Sequence, residues 1–188
     1  MRVIAGSARR IELISLEGVD TRPTLDRYKE TLFNTIQTYV PGSYFIDVFA
    51  GTGSIGIEAL SRGAEKALFI ENSKKAVKVI HENLQKTHLE EFATVLAQDA
   101  VSGLMQAESG GPADIIYIDP PYNKGLEKQA LQLLSTSKLA GDDTLIIVEA
   151  SNDTDFSYLS GLGFGIMKTK DYKTNRHLFL TRTKEKEI

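Results

Sequence analysis

The sequence predicts an α/β fold built on a doubly wound, mostly parallel sheet, and three observations lead there. Five short apolar runs, at 44–49, 67–70, 93–96, 115–118 and 145–148, are each bounded by turn residues. Helical patterns at 55–62, 73–87, 100–107 and 126–134 lie between them. The runs are continuous rather than alternating, as strands covered on both faces require. Strands alternating with helices imply right-handed crossovers between parallel neighbours.

The flanking segments add to this core. Arg2-Val3-Ile4-Ala5-Gly6 and Ile11-Glu12-Leu13-Ile14 flank a short Gly/Ser/Arg stretch and predict a small β-hairpin. Over 25–39, Leu25, Tyr28, Leu32, Phe33 and Ile36 recur at three- and four-residue spacing, which predicts an amphipathic helix. Thr24 is its expected N-cap, and Pro41-Gly42 ends it. At the other end, extended stretches at 165–170 and 177–181 surround the turn Tyr172-Lys173-Thr174-Asn175 and predict a closing antiparallel hairpin.

Size and composition set the bounds. A chain of 188 residues is expected to make a single domain, with 1–40 an extension and 41–188 the core. There is no cysteine, which excludes disulfides, thiolate metal sites and a cysteine nucleophile. His81, His88 and His177 lack metal-ligand spacing, so no metal is expected and these histidines receive no role. No apolar run is long enough for a membrane helix and no signal-peptide core is present, so a cytoplasmic chain with no membrane partner is expected. A net charge of −3 argues against coating nucleic acid by bulk attraction. The distribution is uneven, however: Arg2, Arg9 and Arg10 precede the first acid, Glu12. From Lys168 onward seven basic residues face three acidic ones, so a local basic face is compatible with the balance.

The first crossover carries Asp47-Val48-Phe49-Ala50-Gly51-Thr52-Gly53-Ser54-Ile55-Gly56. Gly51 permits positive φ in a sharp turn, and Gly53 permits close backbone approach to a ligand. Glu71 ends the next strand twenty residues after Gly51, where a carboxylate accepts hydrogen bonds from both hydroxyls of a ribose. Nicotinamide dehydrogenases share this pattern. A pyrophosphate, though, wants amides at a helix N-terminus, whereas S-adenosylmethionine has no phosphate and offers an ammonium group. Asp47 can receive that ammonium, and Asp99 can accept from an adenine amine or cap the following helix. Acids on successive strand ends favour the methyl donor. The expected donor set is Asp47, Phe49, Ala50, Gly51, Thr52, Gly53, Glu71, Asn72, Asp99 and Ala100.

Asp119-Pro120-Pro121-Tyr122 follows the strand at 115–118. Two prolines with fixed φ make a stiff lip whose carbonyls still accept hydrogen bonds. Acceptors aimed at both N–H groups of an exocyclic amine favour a pyramidal nitrogen and stabilise the positive charge that develops during attack. In-line placement against a sulfonium methyl supplies proximity, and Tyr122 can stack on a base. A base inside a helix must be flipped out or already unpaired to reach the lip. These four residues are the expected catalytic group. By themselves they leave adenine, guanine and glutamine amines all open.

The whole resembles the bacterial 16S ribosomal RNA guanine-N2 methyltransferases of the RsmD type. Four segments carry the likeness: Arg2 to Gly6; Arg22-Pro23-Thr24-Leu25-Asp26-Arg27 with Glu30-Thr31-Leu32-Phe33-Asn34; the glycine loop with Glu58-Ala59-Leu60-Ser61-Arg62-Gly63-Ala64; and the proline tetrapeptide. The resemblance implies a Rossmann-like class I methyltransferase sheet, S-adenosyl-L-methionine as donor, and a guanine of 16S rRNA as acceptor, in an assembling small ribosomal subunit. It also implies that Arg22, Pro23 and Thr24 help enclose the donor, and a monomer is expected. Arg2, Arg9, Arg10, Arg27, Lys173 and Arg176 are the expected RNA contacts. The family commonly carries Arg-Gly-Arg-x-Leu in its first hairpin. Here Arg9-Arg10-Ile11-Glu12-Leu13 displaces one arginine and admits a glutamate. The alternatives are a DNA or RNA adenine-N6 methyltransferase, a protein glutamine methyltransferase, or a nucleotide-binding module without chemistry. A DNA enzyme usually needs a sequence-reading domain, for which no spare segment is visible, and the glutamine enzymes tend to have Asn where this chain has Asp119.

Overall fold

In a computed structural model, which describes residues 1–16 and 23–183, the apolar runs become strands in one seven-stranded sheet. They are β1 (Tyr44–Asp47), β2 (Lys66–Ile70), β3 (Ala93–Leu96), β4 (Ile115–Ile118) and β5 (Leu145–Ser151), joined by the C-terminal pair β6 (Phe164–Asp171) and β7 (Asn175–Arg182). The order is β3-β2-β1-β4-β5-β7-β6. The first five strands run parallel; β7 pairs antiparallel with both β5 and β6. The chain winds outward from β1 and then returns to β4 beside it, so the order reverses between those two strands. Ligands of such sheets bind at the carboxyl edge of that reversal.

Helices cover both faces. They are α1 (Pro23–Thr35), α2 (Ser54–Ser61), α3 (Lys74–Thr87), α4 (Ala100–Ala107) and α5 (Leu126–Thr136). The helices α1, α2 and α3 pack on one face with the N-terminal segment, in a cluster containing Phe33, Ile57, Ile80 and Tyr117. On the other face, α4 and α5 bury Leu104, Leu131 and Leu134 against Ile46, Ile118 and Val148. The continuous apolar strand runs are accounted for by this double cover.

The structure departs from the pattern at three boundaries. Thr24 lies within α1 rather than capping it, and α1 ends at Thr35 instead of 39. Val40 precedes Pro41, which disfavours helical φ and ψ, and the last turn opens ahead of it. The expected N-terminal hairpin narrows to one antiparallel bridge, Arg2 to Glu12. Backbone bonds join its two segments, from the Val3 N–H to the Ile11 carbonyl and the Leu13 N–H to the Met1 carbonyl at 3.0 Å each, and α2 anchors it further: the Ile4 and Ala5 N–H groups donate to the Glu58 carboxylate at 2.8 and 3.0 Å, and the Ser7 N–H to the Ser61 carbonyl at 2.8 Å. Gly6 stands so close to α2 that a Cβ there would lie 1.7 Å from the Ser61 carbonyl oxygen. Glu58 is fully buried and also holds Lys29 of α1 at 3.1 Å and Arg62 at 2.7 Å. Burial lowers the Lys29 pKa, and the adjacent Glu58 charge opposes that shift. Arg62 in turn lies over the Phe33 ring, 5.0 Å from its centroid.

Candidate active site

The residues of the first crossover do what the spacing predicts. Gly51 and Gly53 both have positive φ, 54° and 79°, so the chain turns sharply between β1 and α2. Glu71, at the end of β2, steadies that turn: its Oε2 accepts from the Gly51 N–H at 2.8 Å and its Oε1 from the Ser73 N–H at 2.8 Å. Each oxygen keeps a lone pair for a further donor. Beneath the loop, Asp47 is 2% exposed and accepts from the Gly56 N–H at 3.2 Å. Burial pushes its carboxyl up to about 7; the Gly56 bond opposes this and the Glu71 charge adds to it.

A cleft of about 630 Å³ opens over this loop, lined by Phe49, Gly51, Glu71 and Asn72 on one side and Asp119, Pro120, Pro121 and Tyr122 on the other. Its volume falls within the ~300–1,000 Å³ of sites that enclose small ligands. The two motifs meet because β1 and β4 are neighbours, with the Val48 N–H donating to the Tyr117 carbonyl at 2.9 Å. Ala50 is buried beneath the loop and donates its N–H to the Ile70 carbonyl at 3.0 Å. The Thr52 carbonyl accepts from Asn83 at 2.9 Å. Asp99 is an exposed cap of α4, receiving the Ser102 N–H and hydroxyl at 3.0 and 2.7 Å, bonds that lower its pKa. It does not line the cleft, nor does its neighbour Ala100. Arg22 lies outside the described residues, as do the side chains of Pro23 and Thr24.

Behind the proline lip stands a group that the sequence reading passed over. Glu149 on β5 and His177 on β7 are direct cross-strand partners, with His177 Nε2 2.8 Å from Glu149 Oε2. The Tyr117 hydroxyl donates to that same oxygen at 2.9 Å. The other oxygen accepts from the Tyr122 hydroxyl at 2.9 Å and from Asn175. Burial pushes the Glu149 pKa up, but hydrogen bonds from His177, Tyr122 and Tyr117 outweigh it and hold the carboxyl below its ordinary value. Asp119 is the opposite case. Among the described residues no side chain or backbone group hydrogen-bonds its carboxyl. Burial, then the charges of Glu149 and Asp47, push its pKa well above the usual carboxylate range. One sequence signal for Glu149 existed: it ends an apolar run, as Glu71 does. For His177 there was none, since its role depends on the β5–β7 pairing.

The basic candidates divide. Arg2, Arg9, Arg10 and Arg27 line one cleft of about 920 Å³ between the N-terminal segment and α1, which Arg62, Asp26 and Glu30 also line. Lys173 and Arg176 lie elsewhere, on the β6–β7 turn and at the start of β7. Arg176 is already engaged, donating to the Asn152 carbonyl and lying 3.6 Å from Asp171. Among the described residues no cluster of three His, Asp or Glu side chains could hold a metal ion, and no helix is long and apolar enough to cross a membrane.

A carboxylate-ended glycine loop beside an acidic proline lip, on a sheet of this order, defines a Rossmann-like methyltransferase. The family model described as conserved hypothetical protein 95 matches residues 1–181. Ribosomal RNA small subunit methyltransferase D of Haemophilus influenzae is 38% identical over 156 residues, 81% of this chain and 80% of that protein. The Escherichia coli protein of the same name is 36% identical over 150 residues, covering 80% and 74%. The solved structure of yhhF from Escherichia coli superposes with a TM-score of 0.82 at 30% identity, over 97% of both chains. The chain therefore belongs to the family of these RsmD-type methyltransferases.

Proposed function

We infer that this protein transfers a methyl group from S-adenosyl-L-methionine to the exocyclic N2 amine of a guanine in 16S ribosomal RNA, as part of small-subunit maturation in the cytoplasm. The observation that carries the reading is Asp119: a carboxyl without a hydrogen-bond partner among the described residues, on the wall of a cleft whose opposite side ends in Glu71. The relatives' name, ribosomal RNA small subunit methyltransferase D, supports the choice of RNA.

The donor's chemistry suits the residues present. Its ribose hydroxyls would donate to the free lone pairs of Glu71, and its adenine would lie along Phe49 and the proline lip. Asp47 would face the ammonium group through the loop, and Pro23 and Thr24 would close over the donor. When bound, S-adenosylmethionine supplies an electrophilic methyl on a positively charged sulfur. The chain's contribution is to receive the amine. Asp119 and a proline carbonyl accept its two N–H groups, orient the lone pair along the line of transfer and stabilise the charge that develops there. Tyr122, 41% exposed with its hydroxyl fixed on Glu149, offers a ring face for stacking.

Arg2, Arg9, Arg10 and Arg27 would bind RNA phosphates, with Lys173 a more distant contact. A chain of net charge −3 must draw its RNA affinity from such a patch, so binding should fall steeply with salt. The test is incubation of the protein and labelled donor with ribosomal RNA or small subunits from cells that lack the enzyme, followed by nucleoside analysis. N2-methylguanine is the expected product. Failure to label RNA at all would overturn the reading.

A further inference from the structure

The proline lip does little to aim itself. Pro120 and Pro121 have fixed φ, so its remaining freedom lies at the two ends of the tetrapeptide. The Asp119 carboxyl receives no hydrogen bond among the described residues, so it points where its backbone carries it. What holds that backbone stands behind it. Asp119 lines the cleft over the glycine loop and also a cavity of about 160 Å³ on its other side, whose walls include Tyr117, Glu149 and His177.

Glu149 grips the chain on both sides of Asp119. Its Oε2 accepts from the Tyr117 hydroxyl, two residues before Asp119, and its Oε1 from the Tyr122 hydroxyl, three residues after it, each at 2.9 Å. The same two oxygens are held from β7, Oε2 by His177 Nε2 at 2.8 Å and Oε1 by Asn175. We propose that Glu149 and His177 form a clasp that fixes the curvature of residues 117–122, and are positioning residues for Asp119 and the proline carbonyls in methyl transfer. The proposal rests on the RNA-methylation reading above and adds what keeps its acceptors in line.

The residue types suit this task. Among side chains, an ionised carboxylate alone takes four donors on two oxygens; an amide has two lone pairs on a single oxygen. His177 donates from Nε2, because the Glu149 oxygen that it meets carries no proton. Its Nδ1 is then an acceptor, and the Tyr172 hydroxyl stands 3.4 Å from it. Tyr172 also packs edge-on against the His177 ring, with centroids 5.1 Å apart, and against Tyr28 of α1 at 4.8 Å. The clasp is thus backed by β7 and, through Tyr172, by α1. His177 is 2% exposed, so solvent does not compete for its ring. A network this buried also stabilises the fold, and the two roles differ in what they move.

Opening the clasp from either end tests this. Tyr122→Phe removes the hydroxyl and keeps the ring, and should lower kcat for methyl transfer to small-subunit RNA by about tenfold, the scale of one hydrogen bond to a charged group. His177→Leu should lower it by up to about a hundredfold, as misplacement of a reacting group by ~1 Å does. The RNA KM and the calorimetric affinity for S-adenosylmethionine should stay at their wild-type values, and donor binding also reports a folded protein. His177→Gln, whose amide can donate from near the Nε2 position, should recover most of the loss. In the double variant of Tyr122→Phe and His177→Leu the two losses should fall short of multiplying, because both open one clasp. Losses that multiply would overturn the proposal, as would a fall in melting temperature with kcat undiminished in both single variants. Donor affinity falling in step with turnover would overturn it too. Should His177→Leu fail to fold, Tyr122→Phe, at a side chain 41% exposed, decides alone. A wild-type protein that methylates no RNA instead sinks the broader reading, so the two failures are distinct.

Discussion

The two sides of Asp119 are built in contrasting ways. On the side proposed for the donor, the turn is held by backbone N–H groups and one acid, Glu71, set within a single crossover of the chain. On the far side the wall is a knot of side chains: Glu149, His177, Asn175 and Tyr117, brought from three strands to one carboxylate. The first arrangement leaves lone pairs free; the second uses them up. Open acceptors suit the cofactor proposed for the cleft, whereas a wall whose acceptors are all taken does not adapt. Closed hydrogen-bond networks give that rigidity.

The contrast can be tested from its shared point outward. Asp119→Ala removes the acceptor between the two sides and should lower kcat by about 10²–10³-fold, the usual cost of one preorganised electrostatic contact to a transition state. Calorimetry should still find the donor bound. On the donor side, Glu71→Ala should weaken S-adenosylmethionine by about 1–3 kcal/mol, the penalty for hydroxyls left unpaired. An unchanged affinity would remove Glu71 from the ribose site. On the far side, Glu149→Gln places an amide N–H against donors that need an acceptor. It should lower kcat and loosen Tyr122 while donor affinity is retained; loss of donor binding would erase the contrast.

Titration sharpens it further. Asp47 has its pKa raised in the fold to about 7, so the native state holds a proton that the unfolded chain has lost. Stability from this group is therefore present at acid pH and falls as pH rises from the ordinary carboxylate range to about 7, by up to 1.36 kcal/mol per unit. Asp119 contributes in the same direction, so the comparison is with Asp47→Asn, whose melting temperature should fall less over that window. Donor affinity should rise over the same window in the wild type, because an ammonium favours the ionised acid. The smallest effect is expected far from the chemistry. Reversing Arg9 and Arg10 to Glu should weaken RNA binding and flatten its salt dependence, with donor affinity unchanged. A filter-binding series in salt would measure it.

Much of the cleft over the glycine loop could be read from the sequence because its parts are close along the chain. Gly51, Gly53 and Glu71 belong to one strand–helix–strand unit, and Asp119 to Tyr122 to one tetrapeptide. Strand ends follow from apolar runs, so their convergence at the sheet edge followed as well. The rear wall could not be read that way. Glu149 and His177 are 28 positions apart and meet through an antiparallel register that no local pattern specifies. His177 carries no motif, and its environment is what distinguishes it from His81 and His88. Asp99 was read as an adenine contact or a cap, and the structure shows the cap, each oxygen accepting one bond from Ser102 and keeping a lone pair. The small hairpin was legible as two short segments around a turn, and backbone bonds from Val3 to Ile11 and from Leu13 to Met1 join them. Its anchoring on α2 was not, since Glu58 and Ser61 lie more than fifty positions further along the chain.

Glu58 has a consequence for how such a protein can change. One fully buried carboxylate ties together the N-terminal segment, α1 and α2, through two amides and two cations. Losing it would strand Lys29 in the interior, so the acid and its cations can only be replaced together. The arginine-bearing segment proposed to face RNA is thus not an interchangeable module. Transplanting it from a relative with a different target would have to carry α1 and the helix bearing Glu58 with it, and selection for a new substrate would act on all three at once.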